Sequence, residues 1–240
     1  MTAVLPPPRT SVGLLCPRRL TRVEDGVPLH ALLWIPGPGM RMISSAVLGG
    51  GIGERSWVLN AQVPHGYRRT DPARHLADLA TGAGALGPGV GLMTAADVAS
   101  YAHAHDGGAE VIVTSGVDVR GWAAVPEAAK TAGEGGTDCA HAPGTINIVV
   151  ALPVPLTDAA LVNAVATATE AKVQALLEAG HDCSGTPTDA VCVAVRAPCP
   201  GETPHAFAGP RSPWGARLAR AVHRAVHDAT PSPPSPPPSL

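Results

Sequence analysis

The stretch Gly144–Leu156, GTINIVVALPVPL, decides the fold, because its apolar run after a glycine turn predicts a strand. Downstream, TEAKVQALLEAG (Thr169–Gly180) has the composition of a helix, and GTPTDAV (Gly185–Val191) is a tight turn that leads into a second apolar run. Small hydroxyls, an amide, two carboxylates and a lysine therefore stand at the ends of apolar elements. Polar groups collected at such places are how a rigid scaffold presents chemistry.

The rest of the chain also mixes strand and helix patterns. The predicted strands are Leu29–Ile35, Met42–Leu48, Trp57–Val63, Glu110–Ser115, Ile146–Leu152 and Ala190–Arg196. The predicted helices are Pro72–Thr81, Ala95–His105, Asp158–Ala179 and Pro213–Asp228. Thr157 and Ser212 are good N-caps for the last two helices, and Gly180 is a suitable residue to end the first of these two. We expect an α/β or α+β fold, a single layered domain with a mixed β-sheet flanked by helices.

The two ends of the 240-residue chain differ in composition from its middle. Residues 1–11 predict a flexible leader, and residues 230–240, TPSPPSPPPSL, predict a disordered Pro/Ser tail with little to bury. Residues 12–229 show no internal repeat and are long enough for one domain with a sizeable core.

The composition argues against nucleic-acid and membrane partners and favours the cytoplasm. A net charge of −2 and an aromatic content of 3% argue against nucleic-acid binding, which uses basic fields and stacking rings. The longest apolar run, Ile146–Leu156, contains prolines and is far shorter than the ~20 residues that span a bilayer. The N-terminus lacks a signal-peptide layout, and the five cysteines lack CxxC spacing, as expected of reduced thiols. We expect a cytoplasmic protein that binds no membrane, and the sequence leaves open a homo-oligomer.

The helix predicted over Asp158–Ala179 carries two candidate catalytic side chains. At ~100° per residue its apolar residues share one arc, and Lys172 falls inside that arc. The residues of this arc are Leu161, Val162, Val165, Val173 and Leu176, with Thr169 also inside it. A buried lysine needs a partner, and burial can lower its pKa. A lysine that extends its ammonium group to solvent needs no partner and keeps an ordinary environment. Glu170 lies near the edge of the opposite, polar arc, with Asn163, Thr167 and Gln174.

The two turns that open the flanking strands supply the other candidates. Asp189 follows Thr186 and Thr188 in one turn, where it either acts as a general base or caps its own turn. Thr145 and Asn147 lie on one face of the first strand. The Asn147 amide either donates to a developing oxyanion or bridges to a neighbouring loop.

The glycine-rich segment Ser44–Gly53, SSAVLGGGIG, is not a dinucleotide-binding loop, because the downstream Trp57–Val63 reads as a strand rather than a helix. Its glycines either let the backbone approach a bulky ligand or turn the chain sharply. The histidines do not form a metal motif: His223 and His227 have helical i,i+4 spacing but no HExxH carboxylate.

Taken together, these pieces resemble the adenosylcobinamide amidohydrolase family of corrinoid salvage. The matching pieces, in the order of the family, are SSAVLGGG (Ser44–Gly51), VLN (Val58–Asn60), VGLMTAADV (Val90–Val98), VTSGV (Val113–Val117), GTINIVV (Gly144–Val150), TEAKVQAL (Thr169–Leu176), GTPTDAV (Gly185–Val191) and AGPRSPWG (Ala208–Gly215). The His/Pro-rich segment Pro198–Ala206 and both Pro-rich ends have no counterpart among these pieces.

The resemblance implies hydrolysis of the amide between the aminopropanol arm and the corrin ring of adenosylcobinamide. The products would be adenosylcobyric acid and 1-amino-2-propanol. The small-molecule corrinoid substrate would bring its own cobalt, so no further cofactor or protein metal site is expected. Two alternatives stay open: a corrinoid carrier that binds without cleaving, and a hydrolase of another amide.

Amide hydrolysis assigns a role to each candidate residue. Asp189 or Glu170 would activate water or a hydroxyl, Lys172 would supply a proton or electrostatic stabilisation, and Asn147 would hold the oxyanion. Thr145, Thr186 and Thr188 are candidate hydroxyl nucleophiles, although direct attack by water is favoured. The residues expected to bind the corrinoid are Ser44, Ser45, Gly49, Gly50, Gly51, Asn60, Met93, Thr94 and Thr186.

Overall fold

Two mixed β-sheets pack face to face between layers of helices in this computed structural model, which describes residues 13–124 and 144–233. The strands are β1 (Arg18–Glu24), β2 (Val27–Trp34), β3 (Met40–Ser44), β4 (Gly51–Glu54), β5 (Trp57–Gln62), β6 (Gly89–Thr94), β7 (Ala102–Asp106), β8 (Ala109–Val117), β9 (Gly144–Leu152) and β10 (Ala190–Arg196). The helices are α1 (Pro72–Gly82), α2 (Asp158–Glu178) and α3 (Pro213–Ala229), with a 3₁₀ turn at Val98–Ser100.

The small sheet has the strand order β1-β2-β5-β6 and the large sheet the order β4-β3-β10-β9-β8-β7. Each sheet contains one parallel pair, β5 with β6 and β9 with β10, and its other neighbours are antiparallel. The layered α+β class is confirmed, and its strands form two mixed sheets, with β1, β2, β5 and β6 in the small sheet and β3 and β4 in the large one.

Three apolar layers hold this architecture together. The inter-sheet layer joins Trp34 and Leu92 of the small sheet to Val149 and Cys192 of the large sheet. A second layer packs α2 and α3 onto the other face of the large sheet, and a third packs α1 onto the small sheet. The order of layers is therefore helix, sheet, sheet, helix, and the edge of the inter-sheet space is available for a site.

Helix α2 keeps its predicted start and its buried lysine but not its predicted inner face. The Thr157 hydroxyl caps the helix by accepting the Ala160 N–H at 3.2 Å, and Lys172 is 7% exposed. Alanines rather than valines fill most of the buried face, so Val162 is 57% exposed. Thr167, predicted on the polar face, is buried and donates to the Ala208 carbonyl at 2.9 Å. Small residues let α2 approach the sheet and α3 closely. The buried face of the helix is therefore centred on its alanines rather than on the predicted valines.

The helix predicted over Ala95–His105 is wrong. The Asp97 side chain accepts the Ala99 N–H and the Ser100 hydroxyl, both at 2.9 Å, which closes a single 3₁₀ turn. The following residues alternate and form edge strand β7, with Ala104 buried and His105 exposed. A period of two therefore overrides the apparent helical pattern.

The chain termini are only partly described. The predicted leader, residues 1–11, lies outside the described residues, as do residues 234–240 of the predicted tail. Thr230, placed in that tail, is 2% exposed and its hydroxyl bonds the Ser115 hydroxyl at 3.0 Å. The Pro231 carbonyl accepts a hydrogen bond from His181 at 2.8 Å. Thr230 and Pro231 therefore both make hydrogen bonds to the domain. No described helix is both long and apolar enough to cross a membrane.

Candidate functional site

A cleft of about 700 Å³ opens at one edge of the inter-sheet space, where strand ends from both sheets meet. Its walls come from the starts of β9 and β10, the end of β6, and the loops that follow β3 and β5. The lining residues are Ser45, Ala46, Val47, Val63, Pro64, Gly66, Tyr67, Arg69, Pro72, Leu92, Met93, Thr94, Ala95, Gly144, Thr145, Asn147, Thr188, Asp189 and Ala190. Seven of the predicted site residues are in this set.

Asp189 lines this cleft and forms an ion pair with Lys172, which is itself absent from the lining; the two side chains are 12% and 8% exposed. The carboxylate also accepts the Ile146 N–H at 2.8 Å, and the Thr186 N–H at 3.2 Å and hydroxyl at 2.5 Å. Each carboxylate oxygen thus has two donors, which accounts for most of its acceptor capacity. Asp189 caps its turn, as one reading of the sequence predicted, and also anchors the start of β9.

Gly185 makes room for this ion pair. Its φ of +148° lies in the region that favours glycine, and a Cβ there would overlap both the Asp189 carboxylate and the Lys172 ammonium. The glycine of the GTPTD turn is therefore required by the packing of two charged groups.

Thr145 and Thr188 bring two hydroxyls together on the cleft wall. Their oxygens are 2.5 Å apart, and Thr188 also donates to the Gly144 carbonyl at 2.9 Å. Thr186 reaches the same carbonyl at 2.8 Å but does not line the cleft. No side-chain base contacts Thr145 or Thr188 in the described part of the chain, so neither hydroxyl has an obvious proton acceptor.

Asn147 is fixed by a buried hydrogen-bond network that crosses between the sheets. Its amide nitrogen donates to the Met93 carbonyl at 3.1 Å and to the side-chain oxygen of Asn60 at 2.9 Å. Asn60 in turn donates to the Thr114 hydroxyl at 2.9 Å. A backbone carbonyl only accepts, so Met93 fixes which atom of the Asn147 amide is the nitrogen.

This network leaves Asn147 with an unpaired acceptor rather than a free donor. Both amide hydrogens of Asn147 are used, so the amide predicted to donate to an oxyanion has none to spare. Its oxygen, Oδ1, is buried and has no hydrogen-bond partner within the described residues. A buried acceptor without a partner requires a reason, and a donor from a bound ligand supplies one.

Two further hydroxyls on the cleft wall keep a proton available. The Ser45 oxygen accepts the Val191 N–H at 3.1 Å, and the Thr94 oxygen accepts the Ala96 N–H at 3.0 Å. Each hydroxyl hydrogen is therefore free to bind an acceptor in the cleft. Ser44 differs, because it donates to the Val191 carbonyl at 2.9 Å and lies behind the wall.

The structure does not bring the remaining candidates to the cleft. Gly49 and Gly50 turn the chain and pack on the backbone of Gly89 and Ala46, so the turn interpretation of this segment describes them better than ligand approach. Gly51 begins β4 and is likewise absent from the cleft wall. Glu170 is exposed and lines a different groove, between α2 and α3, together with His223 and His227.

Sequence reasoning missed the loop after β5, which contributes Tyr67 and Arg69 to the cleft. This loop, PHGYRRTD (Pro64–Asp71), is polar and irregular, so neither periodicity nor a motif marks it. Its tyrosine is one of only two in the chain, and this scarcity is the single signal that singles it out.

Several polar side chains of this layered α+β domain converge in an open cleft. This arrangement is typical of enzymes that act on small molecules. The chain matches the adenosylcobinamide amidohydrolase family over residues 17–233 and belongs to that family. A Methanosarcina mazei protein named adenosylcobinamide amidohydrolase is 29% identical over 192 residues, which cover 76% of this chain and 86% of that protein.

One further relative and one solved structure are also similar to this chain. A Halobacterium salinarum protein of the same name is 44% identical over 96 residues, covering 39% of this chain and 40% of that protein. A crystal structure of a Pyrococcus horikoshii protein superposes with a TM-score of 0.47 and 10% identity, covering 88% of this chain and 82% of the other.

Proposed function

We propose that this chain hydrolyses the amide that joins the aminopropanol arm to the corrin ring of adenosylcobinamide. The products are adenosylcobyric acid and 1-amino-2-propanol, which returns scavenged corrinoid to cobalamin synthesis. Family membership supports the reaction, and the single structural observation that carries it is the cleft in which Asp189, the Thr145 and Thr188 hydroxyls and Asn147 converge, with Lys172 paired to Asp189 behind the wall.

The open shape of the cleft suits a substrate of this kind. Its volume of about 700 Å³ falls within the range of small-ligand sites. A whole corrinoid is larger than such ligands, so we expect the cleft to take the arm and the adjoining ring edge. Ser45 and Thr94 are then placed to donate to carboxamide oxygens, and the apolar surface of Met93 is placed to contact the ring.

Water rather than a threonine is the nucleophile in this proposal. A threonine would need a base to take its proton, and the described partners of Thr145 and Thr188 are a hydroxyl and a backbone carbonyl. The hydroxyl pair instead binds and orients the attacking water. This arrangement agrees with the direct water attack favoured from the sequence.

Asn147 and the Asp189–Lys172 ion pair have different roles in the proposed reaction. The free Oδ1 of Asn147 accepts the N–H of the scissile amide, which aligns the carbonyl carbon for attack. Lys172 and Asp189 together hold the starts of β9 and β10, and Lys172 adds positive potential behind the developing oxyanion. Glu170 has no part, because it faces another groove.

No resident cofactor is needed in this proposal, since water, hydroxyls and charged groups suffice for amide hydrolysis and the cobalt enters as part of the substrate. The four cysteines of the described residues are free thiols, which favours the reducing cytoplasm as the working compartment. Of these, Cys192 is a poor nucleophile, because complete burial raises its pKa to about 12.

Incubation of the purified chain with adenosylcobinamide, followed by mass spectrometry of the corrinoid, tests the function. Conversion to adenosylcobyric acid is the expected result. An intact corrinoid that stays bound to the protein would replace hydrolysis by a carrier function. The absence of both conversion and binding would show that the amide cleaved by this chain belongs to another molecule.

A further inference from the structure

A chain of three side chains connects the cleft to the edge of the small sheet. The Tyr67 hydroxyl lies 2.9 Å from His75 Nδ1, and His75 Nε2 lies 3.1 Å from Glu24 Oε1. The tyrosine and imidazole rings are nearly parallel, with planes 10° apart. His75 is 5% exposed, whereas Tyr67 is half-buried and lines the cleft. The loop after β5, helix α1 and strand β1 each contribute one member.

Arg22 fixes the far end of this chain. Its guanidinium donates to Glu24 at 2.5 Å and to the Gln62 carbonyl at 2.5 Å, which ties β1 to the end of β5. Burial raises the pKa of Glu24, but the hydrogen bond and charge of Arg22, with a smaller share from His75, outweigh it and hold the pKa below its ordinary value. Glu24 is therefore an ionised carboxylate that only accepts.

The direction of each hydrogen bond follows from that charge. Because Glu24 only accepts, His75 donates from Nε2, and a neutral imidazole then has its lone pair at Nδ1. With the imidazole in that neutral form the Tyr67 hydroxyl donates to Nδ1, and its oxygen keeps the capacity to accept a hydrogen bond. Burial also raises the pKa of Tyr67, so the phenol holds a proton at neutral pH that it can pass on.

Among the described residues, the cleft wall offers no other free imidazole or carboxylate as a proton acceptor. No histidine is among its described lining residues, and the carboxylate of Asp189 is occupied by its ion pair and three further donors. His75 is the imidazole that reaches the cleft wall, and it does so through Tyr67.

We propose that Tyr67, His75 and Glu24 form the proton relay of the hydrolysis, with Tyr67 as a catalytic residue and His75 and Glu24 as positioning residues; this inference rests on the proposed function. The attacking water gives a proton to the Tyr67 oxygen while the Tyr67 hydroxyl proton passes to His75 Nδ1. The oxygen of that water forms its bond to the amide carbon, and Glu24 stabilises the resulting imidazolium. When the C–N bond breaks, the proton returns through Tyr67 to the departing amine, leaving carboxylic acid and free amine.

Two other charged residues, Arg69 and Asp71, lie next to the relay. Arg69 lines the cleft beside Tyr67, and Asp71 precedes α1 and holds Arg69 in a salt bridge at 2.9 Å. The Asp71 carbonyl accepts the His75 backbone N–H at 3.0 Å, which anchors the imidazole-bearing turn of α1. These contacts position the histidine without occupying its ring nitrogens.

The test compares steady-state hydrolysis of adenosylcobinamide by the full chain and by Tyr67→Phe. The expected result is a fall in kcat of at least about 100-fold, since general acid–base groups contribute about 10²–10⁴-fold, with KM changed less than about threefold. The matched control is Tyr101→Phe, which removes the hydroxyl of the other tyrosine and is expected to keep wild-type kcat. Tyr101 is 36% exposed and does not line the cleft.

Two further measurements separate a relay from structural support. Glu24→Gln keeps the shape of the carboxylate but removes its charge, and it is expected to lower kcat rather than raise KM. Nitrogen NMR of histidine-labelled protein is expected to show His75 with its proton on Nε2, and a proton on Nδ1 in the neutral ring would overturn the relay.

The outcomes distinguish the two proposals. Turnover by wild type with an unimpaired Tyr67→Phe, or a Tyr67→Phe defect confined to KM, refutes the relay and leaves the function standing. The absence of wild-type turnover refutes the function and the relay together.

Discussion

The side-chain amide of Asn147, in the large sheet, donates to the side-chain oxygen of Asn60, in the small sheet, at 2.9 Å. This contact joins the two sheets at the base of the cleft with two polar residues that are 1% and 3% exposed. Because the second amide hydrogen of Asn147 goes to the Met93 carbonyl, the two contacts together leave the Asn147 oxygen as the atom without a hydrogen-bond partner.

Replacement of Asn60 by alanine tests this link. The change leaves an N–H of Asn147 unpaired and frees its amide to turn, so we expect a loss of about 1–3 kcal/mol in the free energy of unfolding. We also expect kcat/KM to fall by at least about tenfold, since misplaced groups can cost about 100-fold.

Urea unfolding and steady-state kinetics measure the two effects. The control is Asn163→Ala, an exposed asparagine with one weak bond, to the Ala208 N–H at 3.3 Å, for which much smaller changes are expected. Equal effects of the two substitutions would contradict the role given to the network.

Asp189→Asn is expected to destabilise the fold strongly. It leaves the Lys172 ammonium, 8% exposed, without its counter-charge, and breaking a buried pair costs about 3–5 kcal/mol. Chemical unfolding measures this loss, and the double variant Asp189→Asn with Lys172→Met is expected to recover part of it.

The exposed pair Arg41–Asp158 provides the comparison. Its side chains are 41% and 60% exposed, so Asp158→Asn is expected to change stability by no more than about 1 kcal/mol. If Asp189→Asn were as mild as Asp158→Asn, the ion pair would not hold the site together.

The His/Pro-rich segment 198–206 is expected to loosen in acid. The Arg196 side-chain hydrogen bond, followed by the Cys199 backbone N–H, lowers the pKa of Glu202 from 4.5 to about 2. A depressed pKa in the folded state means that the pairing contributes stability above about 4.5, and the contribution is lost as the pH falls toward 2.

Carbon NMR of the Glu202 carboxyl against pH checks this expectation, with a midpoint near 2 in the wild type. The midpoint is expected to rise toward 4.5 in Arg196→Gln. A wild-type midpoint already near 4.5 would show that the pair does not form in solution.

Local patterns predicted the elements that carry their own signals. Strand β10, Ala190–Arg196, has its predicted bounds, and both Thr157 and Ser212 act as N-caps. Lys172 was predicted on the inner face because helical periodicity is a local property. The alternative interpretation of Asp189 as a turn cap also follows from neighbours in sequence.

Contacts between distant segments were beyond such patterns. The Tyr67–His75–Glu24 chain joins residues up to 51 positions apart through a sheet pairing that no local signal encodes. The pairing of Asn60 with Asn147, 87 positions apart, depends on how two sheets stack. Glu170 shows that neighbours in sequence can also be separated in the fold. It is two positions from Lys172 but projects from another face of α2 into a different groove.

The most direct test of the central claim, that the cleft is the reaction centre, compares two exposed valines. Val47 lines the cleft and is 54% exposed, whereas Val162 is 57% exposed on α2 and lies outside the cleft. Initial rates of adenosylcobyric acid formation are measured for wild type, Val47→Trp and Val162→Trp. If the cleft is the reaction centre, Val47→Trp lowers kcat/KM at least about tenfold, because even a 1 Å misplacement of a substrate is costly, while Val162→Trp matches wild type. Unchanged turnover in Val47→Trp, or a loss that appears equally in Val162→Trp, would contradict that claim.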